Sequence, residues 1–230
     1  MSEIIENEVA QKQDLISKLQ RWFNQNQKLI SYVGAGIVGL IALFWAYNYF
    51  YKEPLEKEAA NLLYSVEKAF EKDSFDAVLK GSQGNMGAIE IAEEYSGTKA
   101  GNLANYMAGV ALFTKSEYDK AIDYFEDFNA SDPFLGPNSI GLIGDCHAAK
   151  KEYAKAAKYF AKAGKKNINN LTTTHWLFKA GAAYEKLDKW DDAVDCYEFL
   201  KKNCKDAANT KQIDKYINYA KARNGEFKAK

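Results

Sequence analysis

The 230-residue chain has few of the residues that build catalytic and metal sites. It contains three cysteines, Cys146, Cys196 and Cys204, without a CxxC pair, and only two histidines, His147 and His175. There is no HExxH motif, no Cys/His spacing typical of a zinc site and no P-loop. We therefore expect no enzyme activity, no catalytic residue, no metal site, no cofactor and no small-molecule substrate.

The chain also lacks an excess of charge of either sign. Its 31 basic residues balance 31 acidic ones, so its composition does not favour nucleic acid as a partner. It has only three prolines and little of the apolar/polar alternation that marks half-buried strands. Alanine, lysine, glutamate, leucine and tyrosine are abundant, and this composition predicts an all-α protein.

Long apolar runs are absent except for one. Leu29–Tyr51 is 23 residues long, contains no charged residue or histidine, and lies between Lys28 and Lys52. At ~1.5 Å per residue a helix of this length covers ~34 Å, which is enough for a hydrocarbon core of ~30 Å. The run is too long for a cleavable signal peptide, so the sequence predicts a single transmembrane signal anchor.

Within this run Gly34, Gly36 and Gly39 spell GxGxxG, the pattern of a dinucleotide-binding turn. That turn needs a strand before the glycines and a second strand ending in an acidic residue ~20 residues further on, and the sequence predicts neither. In a membrane helix, small side chains let another helix approach closely. We therefore assign Gly34, Ala35, Gly36 and Gly39 to helix packing within the membrane.

Basic residues near the run favour one orientation across the membrane. Lys12, Lys18, Arg21 and Lys28 precede it, whereas fewer lysines follow it closely. The positive-inside rule then places the N-terminus in the cytoplasm and the C-terminal domain in the periplasm, with the anchor in a bacterial inner membrane. Residues 11–28 have an amphipathic pattern that fits either an interfacial helix or a juxtamembrane extension of the span.

A repeat of about 35 residues begins near residue 100. Gly109, Gly144 and Gly181 are separated by 35 and 37 residues, and the same two kinds of residue follow each glycine. An alanine lies 12 residues later and an aromatic residue 16 residues later. The alanines are Ala121, Ala156 and Ala193, and the aromatic residues are Phe125, Phe160 and Tyr197.

These three copies resemble the tetratricopeptide repeat, a pair of antiparallel helices that stacks into a solenoid. The resemblance implies that the glycines and alanines allow the two helices of a pair to approach, while the aromatic side chains fill the gap between pairs. The apolar pattern of residues 210–223 predicts an amphipathic helix that caps the stack. The predicted segments are a polar or amphipathic arm (1–28), the membrane anchor (29–51), a degenerate helical lead-in (52–99), three repeats (100–206), and a capping helix with a tail (207–230).

The resemblance also implies a groove, lined by the first helix of each repeat, in which a protein partner binds. Two interpretations of its aromatic residues remain open: they anchor a partner, or they pack on neighbouring helices of the chain. The residues that the family pattern places in the groove are Tyr106, Val110, Phe113, Asp145, His175, Phe178 and Glu185.

The layout as a whole resembles a second family. A short arm, one anchor, a helical lead-in and a tetratricopeptide domain are similar to the periplasmic ancillary subunit of the bacterial Sec translocon. This resemblance implies an adaptor whose partners are translocon subunits, a membrane-anchored periplasmic chaperone and exported clients. The alternative is a general membrane-tethered tetratricopeptide scaffold of another envelope or organelle complex.

Overall fold

The computed structural model describes residues 2–129, 133–204 and 210–225, and all regular secondary structure in these ranges is helical. The chain divides into two compact units, residues 1–54 and 55–230. The helices are α1 (Ser2–Tyr47), a π-helical turn (Asn48–Lys52), α2 (Glu53–Glu71), α3 (Phe75–Lys80), α4 (Ala88–Glu94), α5 (Lys99–Thr114), α6 (Tyr118–Asp127), α7 (Leu135–Ala149), α8 (Tyr153–Lys166), α9 (Thr172–Glu185), α10 (Trp190–Asn203) and α11 (Thr210–Arg223).

The first unit is built on one helix of 46 residues. Helix α1 has no break between the predicted arm and the predicted anchor, which favours an extension of the span over a separate interfacial helix. Gly34, Gly36 and Gly39 lie inside α1, and no strand precedes them in the described chain. This geometry does not fit a dinucleotide-binding turn.

The helical segment Leu15–Glu71 is long and apolar enough to cross a membrane, and its most apolar window is not buried by the rest of the chain. The side chains between Leu29 and Tyr51 are largely exposed, including Leu40, Phe44 and Trp45. A Cβ atom added at Gly34, Gly36 or Gly39 would meet no atom within 4 Å. The surface of α1 at each of these glycines is therefore sterically open to another helix.

The second unit contains the three predicted helical pairs, α5/α6, α7/α8 and α9/α10, and successive helices contact each other from α4 to α11. In each pair the second helix packs against the glycine that recurs in the repeat. A Cβ atom added at Gly109, Gly144 or Gly181 would lie 2.3–2.7 Å from a ring carbon of the aromatic residue 16 positions later. The glycine therefore leaves room for that ring within its own pair.

Two of these aromatic residues also contact the next element, as the family pattern implies. The Phe160 ring stacks on Trp176 of α9 with a centroid distance of 5.8 Å, and the Tyr197 ring lies 5.4 Å from Tyr216 of α11. Ala121, Ala156 and Ala193 are fully buried. Burying the small and aromatic repeat positions together joins each pair to its neighbour, which is how a helical solenoid gains stability.

The turn inside each pair has the same backbone geometry. Ser116, Lys151 and Asp188 have φ angles of 63°, 63° and 54°, in the left-handed region that glycine favours. The backbone N–H of the following residue donates a hydrogen bond to the carbonyl five residues before it in every case. Asp73, between α2 and α3, has the same geometry with φ of 52°. The predicted lead-in therefore opens with the same helical turn as the three repeats.

Replacing Lys151 by glycine should stabilise the second unit, because a residue with a Cβ is strained at positive φ. We expect the glycine variant to exceed a Lys151→Ala variant by about 1 kcal/mol in free energy of unfolding. Thermal or urea unfolding followed by circular dichroism measures the difference. The alanine variant is the matched control, since both changes remove the same exposed side chain. Equal stability of the two variants would contradict the assigned turn.

Helix α11 closes the C-terminal end of the stack. Ile213, Ile217 and Ala220 are buried against α10, and Tyr216 is 39% exposed. This confirms the predicted C-terminal helix and its apolar face. Two buried clusters make up the core of the unit, one running from α2 to α7 and the other from α8 to α11.

Candidate partner-binding groove

The candidate groove is built on α5, α7 and α9, the first helices of the three pairs. Small residues dominate the buried faces of these helices, because a glycine or alanine at the contact with the second helix brings the two backbones together. The larger side chains lie on the rest of each helix surface. All seven predicted groove residues lie on α5, α7 or α9.

On α5 the three predicted residues are half-buried. The Tyr106 ring lies 6.1 Å from the Phe125 ring and 5.2 Å from the Phe128 ring. The Phe113 ring lies 5.7 Å from Tyr118, and Val110 packs against the core. These rings therefore pack on α6 and the residue that follows it while part of each remains accessible.

Helices α7 and α9 are joined by a tryptophan that the groove prediction missed. The indole of Trp176 is 97% buried and covers Gly141, where an added Cβ would lie 2.2 Å from a ring carbon. Its Nε1–H donates a hydrogen bond of 3.0 Å to Oδ1 of Asn138. Gly141 is therefore buried beneath an aromatic ring and forms no part of an open surface.

Lys179 is a second groove residue that the sequence reasoning missed. Its Nζ donates to Oδ1 of Asp145 at 2.5 Å and lies 5.0 Å from the ring centroids of both Phe160 and Trp176. The ammonium group is thus held by one carboxylate and the faces of two aromatic rings. Residues four apart on a helix share a face, so the spacing from His175 to Lys179 would have indicated its place in the groove.

The accessible part of α9 carries His175, Phe178 and Glu185. His175 is exposed; partial burial, and next the nearby Lys179 charge, lower the pKa of its imidazole below the usual value of 6.5. This shift favours the neutral form of the imidazole. The exposed imidazole gives the candidate groove a polar group beside the aromatic Phe178.

At the C-terminal end of the groove, three rings form a cluster. Phe178 lies 5.8 Å from Tyr197 and 5.3 Å from Tyr216 between ring centroids. The Tyr197 hydroxyl donates a 2.9 Å hydrogen bond to Oε1 of Glu185, and burial together with the Glu185 charge raises the pKa of Tyr197. This bond fixes the Glu185 carboxylate beside the aromatic cluster.

The remaining histidine serves packing. His147 is 92% buried on α7, its ring lies 5.2 Å from Tyr159, and its Nδ1 lies 2.8 Å from Oε2 of Glu152. Lys155, and next His147, lower the pKa of the Glu152 carboxyl to about 2. No group of three or more potential metal ligands occurs among the described side chains. His147 is therefore a buried residue whose ring is packed and paired within the repeat unit.

Comparison with known families agrees with this geometry. Residues 177–206 match the model of the family described as "Tetratricopeptide repeat". The match covers most of α9 and all of α10, including Gly181, Ala193 and Tyr197. A search of curated proteins found no match.

The fold and the matched segment together define the class of protein. The chain carries tetratricopeptide-type helical repeats behind an apolar N-terminal helix that is long enough to span a membrane. Proteins of this fold are typically interaction scaffolds without enzymatic activity, since their stacked helices present an extended binding surface.

Proposed function

We propose that this protein is a membrane-anchored adaptor that binds protein partners in the groove of α5, α7 and α9. The observation that carries the proposal is the mixed surface on α9, where half-buried Phe178 lies beside the fixed Glu185 carboxylate and exposed His175. Partly exposed aromatic side chains with polar neighbours are the composition of interface hot spots. Tyr106, Val110 and Phe113 extend this surface toward α5, and Asp145 supplies charge between the two ends.

The proposed location is a bacterial inner membrane with α1 as the anchor. The N-terminal end of α1 would lie in the cytoplasm and the repeats in the periplasm, according to the excess of lysine and arginine before the span. Gly34, Ala35, Gly36 and Gly39 would face a helix of another membrane subunit. The open space around the three glycines of α1 supports that role, since small residues without intramolecular contacts permit close helix approach.

The proposed partners are subunits of the Sec translocon, a membrane-anchored periplasmic chaperone and exported clients. The support is the layout: an anchor followed by a helical lead-in, three repeats and a cap resembles the translocon's tetratricopeptide ancillary subunit. In this role the protein holds chaperone and translocon together while secreted proteins emerge. The alternative role is a membrane-tethered scaffold of a different envelope or organelle complex.

A photo-crosslinking amino acid at position 178 in intact cells tests the partner. We expect covalent adducts with a Sec subunit or a periplasmic chaperone, identified by mass spectrometry, because residue 178 is on the groove side of α9. The same amino acid at exposed position 158 on α8 is the control and should give few of these adducts. Adducts with a different envelope protein at position 178 alone would support the scaffold alternative. Equal adducts at both positions would contradict binding in the groove.

Reporter fusions after Lys230 test the location. A periplasmic reporter should be active and a cytoplasmic reporter silent, with the full chain retained in membranes after alkaline washing. The opposite pair of activities would overturn both the orientation and the translocon assignment. A soluble full-length chain would overturn the anchor.

A further inference from the structure

The N-terminal half of α1 exposes an apolar stripe to solvent. Leu15, Ile16, Leu19, Trp22 and Phe23 are 50–63% exposed, although they are among the largest apolar side chains before the span. These residues precede Leu29 by up to 14 positions, or ~21 Å of helix. Because α1 continues without a break into the apolar run, this part cannot lie flat on a membrane that the same helix crosses.

The spacing of the stripe indicates what covers it. Apolar side chains recur at alternating intervals of three and four residues, which is the heptad pattern of helices that pack along each other in a coiled coil. The pattern continues into the span without a change of register, and we call these positions the seam. The seam consists of Ile16, Leu19, Phe23, Asn26, Ile30, Val33, Ile37, Leu40 and Phe44.

The positions beside and opposite the seam agree with the heptad. Gln13, Gln20 and Gln27 recur every seven residues on one flank, and Leu15, Trp22 and Leu29 recur every seven residues on the other. The charged side chains Lys18, Arg21 and Lys28 lie on the far side of the helix. From Ile16 onward, two parallel copies aligned in register therefore bring glutamine and apolar side chains together at the seam edges with no like charges opposed. Lys12, one heptad before Leu19, ends the seam on its N-terminal side.

We infer that the seam binds a second copy of this chain, forming a parallel two-helix coiled coil that begins before the membrane and continues into it. A second copy is the occupant that supplies the same heptad in the same register. Copies anchored in one membrane with one orientation are also necessarily parallel. The parallel orientation rests on the proposed anchor, whereas the seam before residue 29 does not.

Asn26 is the one polar side chain in the seam. In this single helix its Nδ2 donates to the Trp22 carbonyl oxygen at 2.8 Å. A lone asparagine in a coiled-coil core favours one register, because the amide is satisfied only when it meets its counterpart. Asn26 therefore specifies the in-register arrangement in which residues of the same number meet.

Disulfide trapping tests the arrangement in the full chain. The native cysteines are buried and free, so a single added cysteine provides the exposed thiol. We expect mild oxidation of the Ile16→Cys and Phe23→Cys variants to give at least about ten times more covalent dimer than Ser17→Cys and Asn24→Cys, because only seam positions bring two equivalent Cα atoms within bonding distance. Equal yields at all four positions would indicate random collision and overturn the proposal.

The mass of the protein in detergent gives an independent readout. The parent chain and a Gln25→Lys variant should be dimers by light scattering, whereas Leu19→Lys should be a monomer because it places two charges in the seam. The thermal unfolding of the repeats should be unchanged in both variants, which excludes a folding defect. A monomeric parent would overturn the proposal. Light scattering gives this answer even if lipid shields positions 16 and 23 from a water-soluble thiol reagent in the disulfide experiment. Dimer formation by a full-length chain that is not retained in membranes would leave the coiled coil intact and remove the membrane anchor.

Discussion

A Gly181→Val variant is expected to lose about 3 kcal/mol of the free energy of unfolding of the repeat unit, the upper end of the cost of overpacking a core. The added Cβ would lie 2.3 Å from the Tyr197 ring, which is 99% buried and cannot move into free space. The ring is also held by its hydrogen bond to Glu185. For a unit of this size the loss corresponds to a fall in melting temperature of about 6–12 °C, measurable by calorimetry.

The neighbouring residue offers a matched control. Ala182 is exposed on the same helix, so Ala182→Val introduces the same side chain without a steric conflict. Its effect should stay within about 0.5 kcal/mol. A double variant, Gly181→Ala with Tyr197→Leu, should be less destabilised than the sum of its single changes, because the smaller side chain removes the clash. Similar losses for positions 181 and 182 would contradict the glycine–aromatic contact.

The second large effect concerns the cysteines, none of which should react in the native protein. Burial raises the pKa of the Cys146 thiol to about 12 and that of Cys196 to about 11. At pH 8 the thiolate fractions are then roughly 10⁻⁴ and 10⁻³, compared with about a quarter for an ordinary thiol of pKa 8.5. Steric exclusion of the reagent adds to this protection. We therefore expect labelling to be slower by at least about a thousandfold than for an exposed thiol.

A chromogenic disulfide reagent measures this directly. It should detect no thiol in the native chain and three after unfolding in guanidinium. A Lys158→Cys variant supplies the exposed reference thiol, since residue 158 lies on the open side of α8. On incubation much longer than this assay, Cys204, which follows the last residue of α10, should be labelled before Cys146 and Cys196, because that helix end frays. Rapid labelling of Cys146 or Cys196 would contradict the described core.

Much of this fold was predictable because its determinants are local and periodic. The apolar run, the glycines at intervals of 35 and 37 residues and the aromatic residues 16 positions later each predict a feature that the structure contains. The left-handed turn residues were not predictable, since serine, lysine and aspartate occupy positions where glycine is usual. Their geometry is imposed by the packing of the two helices that they join.

The groove was harder to predict because it depends on contacts between repeats. The family pattern predicts that Asp145 and Phe178 line a groove, but it does not show that Lys179 lies beside two rings or that Trp176 covers Gly141. Trp176 and Gly141 are 35 positions apart and Lys179 and Phe160 are 19 apart, so these contacts depend on how α7, α8 and α9 pack together rather than on a short-range pattern. The pairing of Glu185 with Tyr197 likewise depends on how α9 and α10 close on each other.

The division of the core into two clusters has a consequence for how the repeats unfold. Helix α7 contributes Ile143 and Cys146 to the first cluster, while its Ile140 and Ala148 pack against the second. In a linear array, each element is coupled only to its neighbours, so loss of order in one half reaches the other through this helix. Helix α7 therefore sets the cooperativity of the whole array: weakening its packing should separate one unfolding transition into two.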